Sequence, residues 1–309
     1  MEVLECDEKE GGTMRITNNM ISDRSLFNIQ QSLNRIAKLN DKLSSGKEVQ
    51  YPSDDAVIAT RASNISSRLR ELEQYKRNVD HVNNFVQSYD TTLQELSSVY
   101  QRIKELMVEG ANGTNSVDER NAIATELKAL KEHLVEIANT RIGDEYIFGG
   151  ARSDLKPVDE NGNIVTPIEA DVKRKVNALG YSISYGVTVY DAFTLNNGKT
   201  AFSTIDDAID ALYQGDEKKL SEISLKEIGV LANSVMEQFA NVGSTSRMVE
   251  MISSRIDDLQ VFNTEYLSKE QDADLTKVLT DLSMQQSVLN AALKSASMAI
   301  QKTLVDFIG

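Results

Sequence analysis

A chain of 309 residues with 40% hydrophobic but only 6% aromatic residues, no Trp and three Pro has the make-up of long helices with many small contacts, not of a large enzyme core. Its formal net charge of -14 leaves no basic excess to displace phosphate counterions, so nucleic acid is not an expected partner. The single Cys, Cys6, excludes a disulfide framework within one chain, and no apolar run approaches membrane-spanning length, so no membrane partner is expected either.

Residues 1–13 are acidic, lack periodicity and end in a Gly pair. They read as a disordered leader without the basic and apolar regions of a secretory signal, with Met14 as an alternative start. From Leu26 the positions Ile29, Leu33, Ile36, Asn40 and Leu43 recur at steps of three and four, predicting an amphipathic helix with a narrow apolar stripe. It stops at Ser44-Ser45-Gly46, where Gly46 suits a helix C-cap and Lys47 lies near the negative end of the helix dipole.

Pro52-Ser53-Asp54-Asp55 restarts the chain as helix, with Ser53 or Asp54 as the expected N-cap. The stripe Ile65, Leu69, Leu72, Val79, Val86, Leu93, Leu96, Tyr100, Ile103, Met107 then runs nearly unbroken, interrupted by Lys76, Asn83 and Asp90. A helix of that length spans roughly 75 Å and calls for an elongated bundle. The chain reverses at 110–115, and Ser116-Val-Asp-Glu119 has the pattern of a capping box opening a third helix, with Ile123, Leu127, Leu130, Leu134 and Ile137 on its face and its end near Gly143.

Tyr146-Ile-Phe-Gly-Gly150 opens a turn-rich segment and reads locally as a strand start followed by a flexible glycine pair. Asn161-Gly162 between Pro157-Val158 and Ile164-Val165 signals a hairpin, and Tyr181, Ile183, Tyr185, Val187 and Val189 alternate with polar residues as in a half-buried strand. Residues 151–202 therefore read as a small antiparallel β insertion. Helical periodicity returns from Ser203, breaks at Gly215, and resumes from about Glu217 to Asn241. After Val242-Gly243 it continues through Met248, Ile252, Ile256, Leu259 and Phe262 into one long helix, Tyr266 to Ile308. On that last stretch Leu275, Val278, Leu282, Gln285 and Leu289, then Leu293, Ala296, Ile300 and Phe307, keep one stripe, too narrow for a globular core and suited to another helix. The first helix, Leu26 to Leu43, is its best internal partner, and Asn40 and Gln285 are the polar positions inside the two stripes.

The fold class that follows is mainly α: an elongated antiparallel long-helix bundle with paired terminal helices and a small antiparallel β insertion domain. The expected domains are residues 14–50 with 266–309, residues 51–150 with 203–265, and the β insertion at 151–202.

Chemistry finds no foothold. His81 and His133 lie on different predicted helices with no Cys nearby, the reading of surface or packing residues. Asp159-Glu-Asn-Gly-Asn163 glances at a calcium loop, but its Gly stands fourth and Ala170 occupies the twelfth place, where a bidentate Glu belongs. No phosphate-binding Gly loop and no nucleophile elbow occurs, so no enzyme, cofactor or metal is expected.

Five motifs in order carry a resemblance. They are Met14-Arg15-Ile-Thr-Asn-Asn-Met20 with Asn18; Leu43-Ser-Ser-Gly46-Lys47 with Pro52-Ser-Asp54-Asp55; Asn112-Gly-Thr114; Tyr146-Ile-Phe148-Gly149-Gly150; and Tyr266-Leu-Ser with Asp272-Ala-Asp274-Leu275 and Met284-Gln285-Gln286. Together they resemble the flagellin superfamily, over about residues 14–150 and 203–309. The stretches Pro52–Asp55 and Tyr146–Gly150 are more similar to the branch that joins hook to filament than to flagellin itself.

The resemblance implies an exported structural subunit, extracellular on the bacterial flagellum and secreted through a type III apparatus. Its assembly interface would be Leu26, Ile29, Leu33, Ile36 and Leu43 on the first helix and Leu275, Val278, Leu282, Leu289, Leu293, Ile300, Leu304 and Phe307 on the last. The partners implied are hook-associated protein 1, flagellin, further copies of the chain in a ring, and an export chaperone for the terminal helices. Flagellin, the bulk filament subunit, is the alternative within the family, and an intracellular helical scaffold or coiled coil is the alternative outside it.

Overall fold

The computed structural model describes residues 18–113 and 115–308, with backbone alone at residues 18, 19, 21, 223 and 299–308. The expected leader, Arg15, Thr114 and the side chains of Asn18, Ile300, Leu304 and Phe307 lie outside the described residues. The helices are α1 (Asn18–Ser45), α2 (Ala56–Gly110), α3 (Val117–Ala138), α4 (Val189–Phe193), α5 (Ala201–Gln214), α6 (Glu217–Lys219), α7 (Leu225–Gln271) and α8 (Leu275–Ile308). Two antiparallel hairpins complete the regular structure, β1 (Arg141–Ile142) with β2 (Glu145–Tyr146) and β3 (Arg174–Ala178) with β4 (Tyr181–Tyr185). The fold is mainly α with a small β part.

The chain divides into two compact units, one of residues 1–68 with 263–309 and one of residues 69–262. In the larger unit the α2 stripe is covered as its period requires: Leu72, Val79, Val86, Leu93, Leu96, Tyr100, Ile103 and Met107 are all buried. Of its polar interruptions, Lys76 reaches across to α7, donating to Ser253 Oγ at 2.8 Å and pairing with Asp257 at 2.9 Å. The capping box is present at Ser116 and Glu119, and α3 packs on α5, with Lys131 pairing Asp206 at 2.7 Å.

Several boundaries differ from those expected, each for a local reason. Helix α3 ends at Ala138, and Gly143 (φ 58) sits in the turn of the β1–β2 hairpin, so β structure begins before residue 151. The alternation from Tyr181 stops being a strand at Tyr185. Gly186 turns the backbone to φ 109, and Thr188 caps α4 with Asp191 in a capping box, so Val187 and Val189 are buried as loop and helix residues. The Asn161-Gly162 turn forms as expected: Val158 bridges Ile164, and Asp159 Oδ1 accepts from the amides of Asn161 and Asn163 at 2.9 and 2.8 Å. Past Gly215, the left-handed cap of α5, a single π turn over Leu220–Ser224 leads into α7, which runs through Gly243 without a break.

Tyr146–Gly150 is tightly held, contrary to a flexible pair. After β2 the chain makes a 3-10 turn over Ile147–Gly149 that buries Phe148 against Tyr89 and Phe193, with ring centroids 6.0 and 5.4 Å away and both edge-on. The Tyr89 hydroxyl donates to the Ile147 carbonyl. Arg174 donates to Glu145 (2.6 Å) and to the carbonyls of Tyr146 (3.2 Å) and Gly150 (3.3 Å), its guanidinium 4.6 Å from the Phe85 ring centroid. Gly150 is obligatory: at φ 57, a Cβ there would lie 2.3 Å from the Ala170 carbonyl oxygen.

Candidate functional site: the terminal-helix junction

In the smaller unit α1 packs along α8, and two of the sequence motifs meet where these helices begin and end. Helix α1 closes when Gly46 takes φ 70 and its amide donates to the Lys42 carbonyl at 2.9 Å. The extended residues that follow pair with the gap between α7 and α8. Glu48 N–H donates to the Gln271 carbonyl (2.7 Å), Ala273 N–H to the Gly46 carbonyl (2.9 Å) and Gln271 Nε2 to the Val49 carbonyl (3.2 Å), while Lys47 bridges Asp272. The last stretch is therefore two helices, since residues 272–274 leave the helix to make this pairing. Asp274 restarts it: its Oδ1 accepts from the amides of Thr276 and Lys277 at 3.0 and 3.1 Å, an N-cap for α8.

Pro52, Asp54 and Asp55 divide the next turn between them. Tyr51 and Asp54 close a β-turn (Asp54 N–H to Tyr51 carbonyl, 3.0 Å) with Pro52 in its second place, and Asp54 Oδ2 accepts from the Tyr51 amide at 3.0 Å. Asp55, not Ser53 or Asp54, caps α2, its Oδ1 accepting from Val57 and Ile58 at 2.9 and 3.0 Å. Asp54, Asp55 and Asp274 thus satisfy backbone donors that a helix start or turn would leave unmade, while Asp272 accepts from the Ser268 hydroxyl.

The face that α1 turns to α8 is Ser22, Ser25, Ile29, Ser32, Ile36, Leu39 and Leu43, the more covered positions along the helix. Leu26, Leu33 and Asn40 are not on that line, and the two leucines are 55% and 50% exposed. On α8 the inward line is Val278, Leu282, Gln285, Leu289, Ala292 and Ala296, whereas Leu275 and Leu293 stand beside it, 46% and 47% exposed. The structure thus brings together Ile29, Ile36, Leu43, Val278, Leu282 and Leu289, and leaves Leu26, Leu33, Leu275 and Leu293 as an uncovered apolar flank. The Gln285 Oε1 is buried in the seam with no hydrogen-bond partner among the described residues.

Sequence reasoning missed the pairing of Gly46 with Ala273 and the grip of Arg174 on the Tyr146–Gly150 turn. Neither partner stands out in composition or period. The run Asp272-Ala-Asp274 was the one readable signal for the first, as a pair of potential caps inside a helical pattern. Among the described residues no group of three His, Cys, Asp or Glu is placed to hold a metal ion, and no helix is long and apolar enough to cross a membrane.

The model of the bacterial flagellin N-terminal helical region matches residues 16–152. Flagellar hook-associated protein 3 of Escherichia coli (strain K12) is 27% identical over 307 residues, covering 91% of this chain and 96% of that protein. A flagellin of Clostridium tyrobutyricum is 25% identical, but that match covers 60% of this chain and 49% of the flagellin. Among solved structures, that of a flagellar hook-associated protein from Vibrio parahaemolyticus shares the fold with a TM-score of 0.65 at 18% identity, over 71% of this chain and 100% of that one. The chain is thus similar to flagellar hook-associated protein 3 along 91% of its length, matches the flagellin N-terminal helical region over residues 16–152, and shares its fold with a solved flagellar hook-associated protein.

Proposed function

We propose that the chain is a structural junction subunit of the bacterial flagellum, an adaptor between the hook-side junction protein and the flagellin filament that assembles through α1 and α8. The observation that carries this reading is the uncovered apolar flank, Leu26 and Leu33 on α1 with Leu275 and Leu293 on α8, beside a seam that is already filled within the chain. Hydrophobic side chains left half exposed along two adjacent helices suit coverage by neighbouring subunits, which adds order that the pair alone lacks. Charge supports the same division of labour. Residues 69–262 hold the acidic excess, while the described residues of the terminal unit carry as many basic as acidic side chains, so copies can pack there without mutual repulsion.

In this reading the terminal helices form the assembly domain. The partners are the hook-side junction protein, hook-associated protein 1, and flagellin, with copies of the chain in a ring and an export chaperone engaging the terminal helices before secretion. The role is structural, not catalytic.

Removing residues 275–309 tests it. The truncated chain should keep the fold of its 69–262 unit and lose incorporation at the hook tip; filaments attached at the normal frequency would overturn the reading. A flagellin role is the second reading, since flagellins align over part of the chain. Copy number per flagellum separates the two, because a junction subunit forms a short zone and a filament subunit the bulk.

A further inference from the structure

The chain contains three Asn-Gly pairs, Asn112-Gly113, Asn161-Gly162 and Asn197-Gly198. The fold treats them differently. In such a pair the backbone nitrogen of the glycine is a latent nucleophile toward the asparagine carboxamide, because no Cβ shields it and the chain is free to bring the two together. The reaction needs that nitrogen unbonded and the carboxamide free to swing over it.

Two of the pairs are locked. Gly162 is buried, with the space where a Cβ would stand 2.7 Å from Phe202 Cβ, and its amide donates to the Asp159 carbonyl at 3.2 Å. The Gly198 amide donates to the Leu195 carbonyl at 2.8 Å, and the Asn197 side-chain oxygen is held by the Lys199 amide at 3.0 Å. The first pair lies on the surface, in the connector between α2 and α3, with the end of the flexible Glu217 side chain beside Gly113. Both residues are exposed, and among the described residues neither the Gly113 amide nor the Asn112 carboxamide has a hydrogen-bond partner. The Asn112 backbone is meanwhile held in place, its amide donating to Glu109 and its carbonyl accepting from Asn115, both at 3.2 Å.

We infer that Asn112 is a self-modifying site, the one Asn-Gly pair of the three that converts to an acidic residue in the folded protein. The Gly113 nitrogen gives up its proton to solvent base and its lone pair forms a bond to Asn112 Cγ. The carboxamide C–N bond breaks, and that nitrogen leaves as ammonia after taking a proton from water. The resulting five-membered imide is opened by water at either carbonyl, giving aspartate at 112 or an isoaspartyl link that carries one more methylene in the backbone. No oxidation or reduction is involved.

The connector is built to register the change. Asn115 Nδ2 donates to the Glu109 carbonyl at 2.6 Å and Arg120 to the Asn115 carbonyl at 2.9 Å, so the turn's hydrogen bonds depend on the spacing that an added methylene alters. The new carboxylate also joins Glu217, whose two carboxylate oxygens stand 2.8 and 2.9 Å from where a Gly113 Cβ would be. Like charges drawn together there loosen the reversal between α2 and α3.

Peptide mapping by mass spectrometry, after incubating the full chain at mildly alkaline pH, tests the inference. Isoaspartyl methyltransferase labelling serves as the second probe. In folded protein the Asn112 peptide should lose its amide progressively and gain label, while the Asn161 and Asn197 peptides stay intact; in denaturant all three should convert. Asn112→Gln should abolish labelling of the folded protein. Conversion of Asn161 or Asn197 as fast as Asn112 in the folded chain, or persistent labelling of the Asn112→Gln protein, would overturn it.

Discussion

The amide of Ala273 donates to the carbonyl of Gly46 at 2.9 Å, fastening the end of α1 to the gap that precedes α8. Because α8 is then restarted by the Asp274 carboxylate, which accepts from two amides, Asp274→Ala should weaken the terminal unit by about 1 kcal/mol. Hydrogen exchange would show faster exchange in the first turns of α8, with amides of the Leu72 to Met107 core unchanged.

Gln285 lies in the α1–α8 seam with a buried oxygen that has no hydrogen-bond partner among the described residues. Replacing it by Leu, similar in volume, removes that burden and should stabilise the helix pair by about 1–3 kcal/mol. Slower exchange of α1 and α8 amides is the readout. In the proposed role a tighter pair is a handicap, so Gln285→Leu is expected to slow secretion as well.

Gly150 and Gly180 make a matched test of close approach against backbone strain. Both have positive φ, 57 and 81, but a Cβ at 150 meets the Ala170 oxygen at 2.3 Å and one at 180 meets nothing within 4 Å. Gly180→Ala should cost about 1–2 kcal/mol from the left-handed conformation alone. Gly150→Ala should add about 1–3 kcal/mol for displaced backbone. Urea midpoints of the two variants check the ordering.

Burial pushes the Tyr89 hydroxyl up from 10.0 to about 12, a rise that nearby Arg174 only partly offsets. A group that holds its proton more tightly when folded contributes stability that is intact below pH 10 and is lost as pH rises toward 12. The loss amounts to about 2–3 kcal/mol. Tyr89→Phe loses the hydrogen bond to the Ile147 carbonyl and should be less stable at neutral pH by about 1 kcal/mol, and should show a shallower decline in the alkaline range. Urea titrations at a series of pH values measure both.

What the sequence disclosed and what it hid divide along physical lines. The period was legible where one face is covered, as on α2, and caps or turns where they are closed by their own residues, as at Ser116–Glu119 and Asp159–Asn163. The inward line of α1 was not legible. Small serines, Ser22, Ser25 and Ser32, face the partner helix, while Leu26 and Leu33 remain uncovered, so counting apolar residues placed the stripe to one side of the seam. The break at 272–274 was hidden because Asp and Ala are tolerated in helices, and only pairing with residues 46–49, remote in sequence, draws them out. Arg174 gave no signal for the same reason: its partners, the Glu145 carboxylate and two backbone carbonyls, lie far along the chain.

The uncovered flank is the centre of the proposed role, and charging it tests that role most directly. Leu33→Asp with Leu293→Asp alters side chains that are 50% and 47% exposed, so the isolated chain should keep its thermal melting profile to within about 0.5 kcal/mol. The decisive measurement is the fraction of hooks bearing filaments, counted by electron microscopy in cells that secrete the double variant. Hooks without filaments, despite normal secretion of the variant, are the predicted result; filaments at the wild-type frequency would contradict assembly through this face.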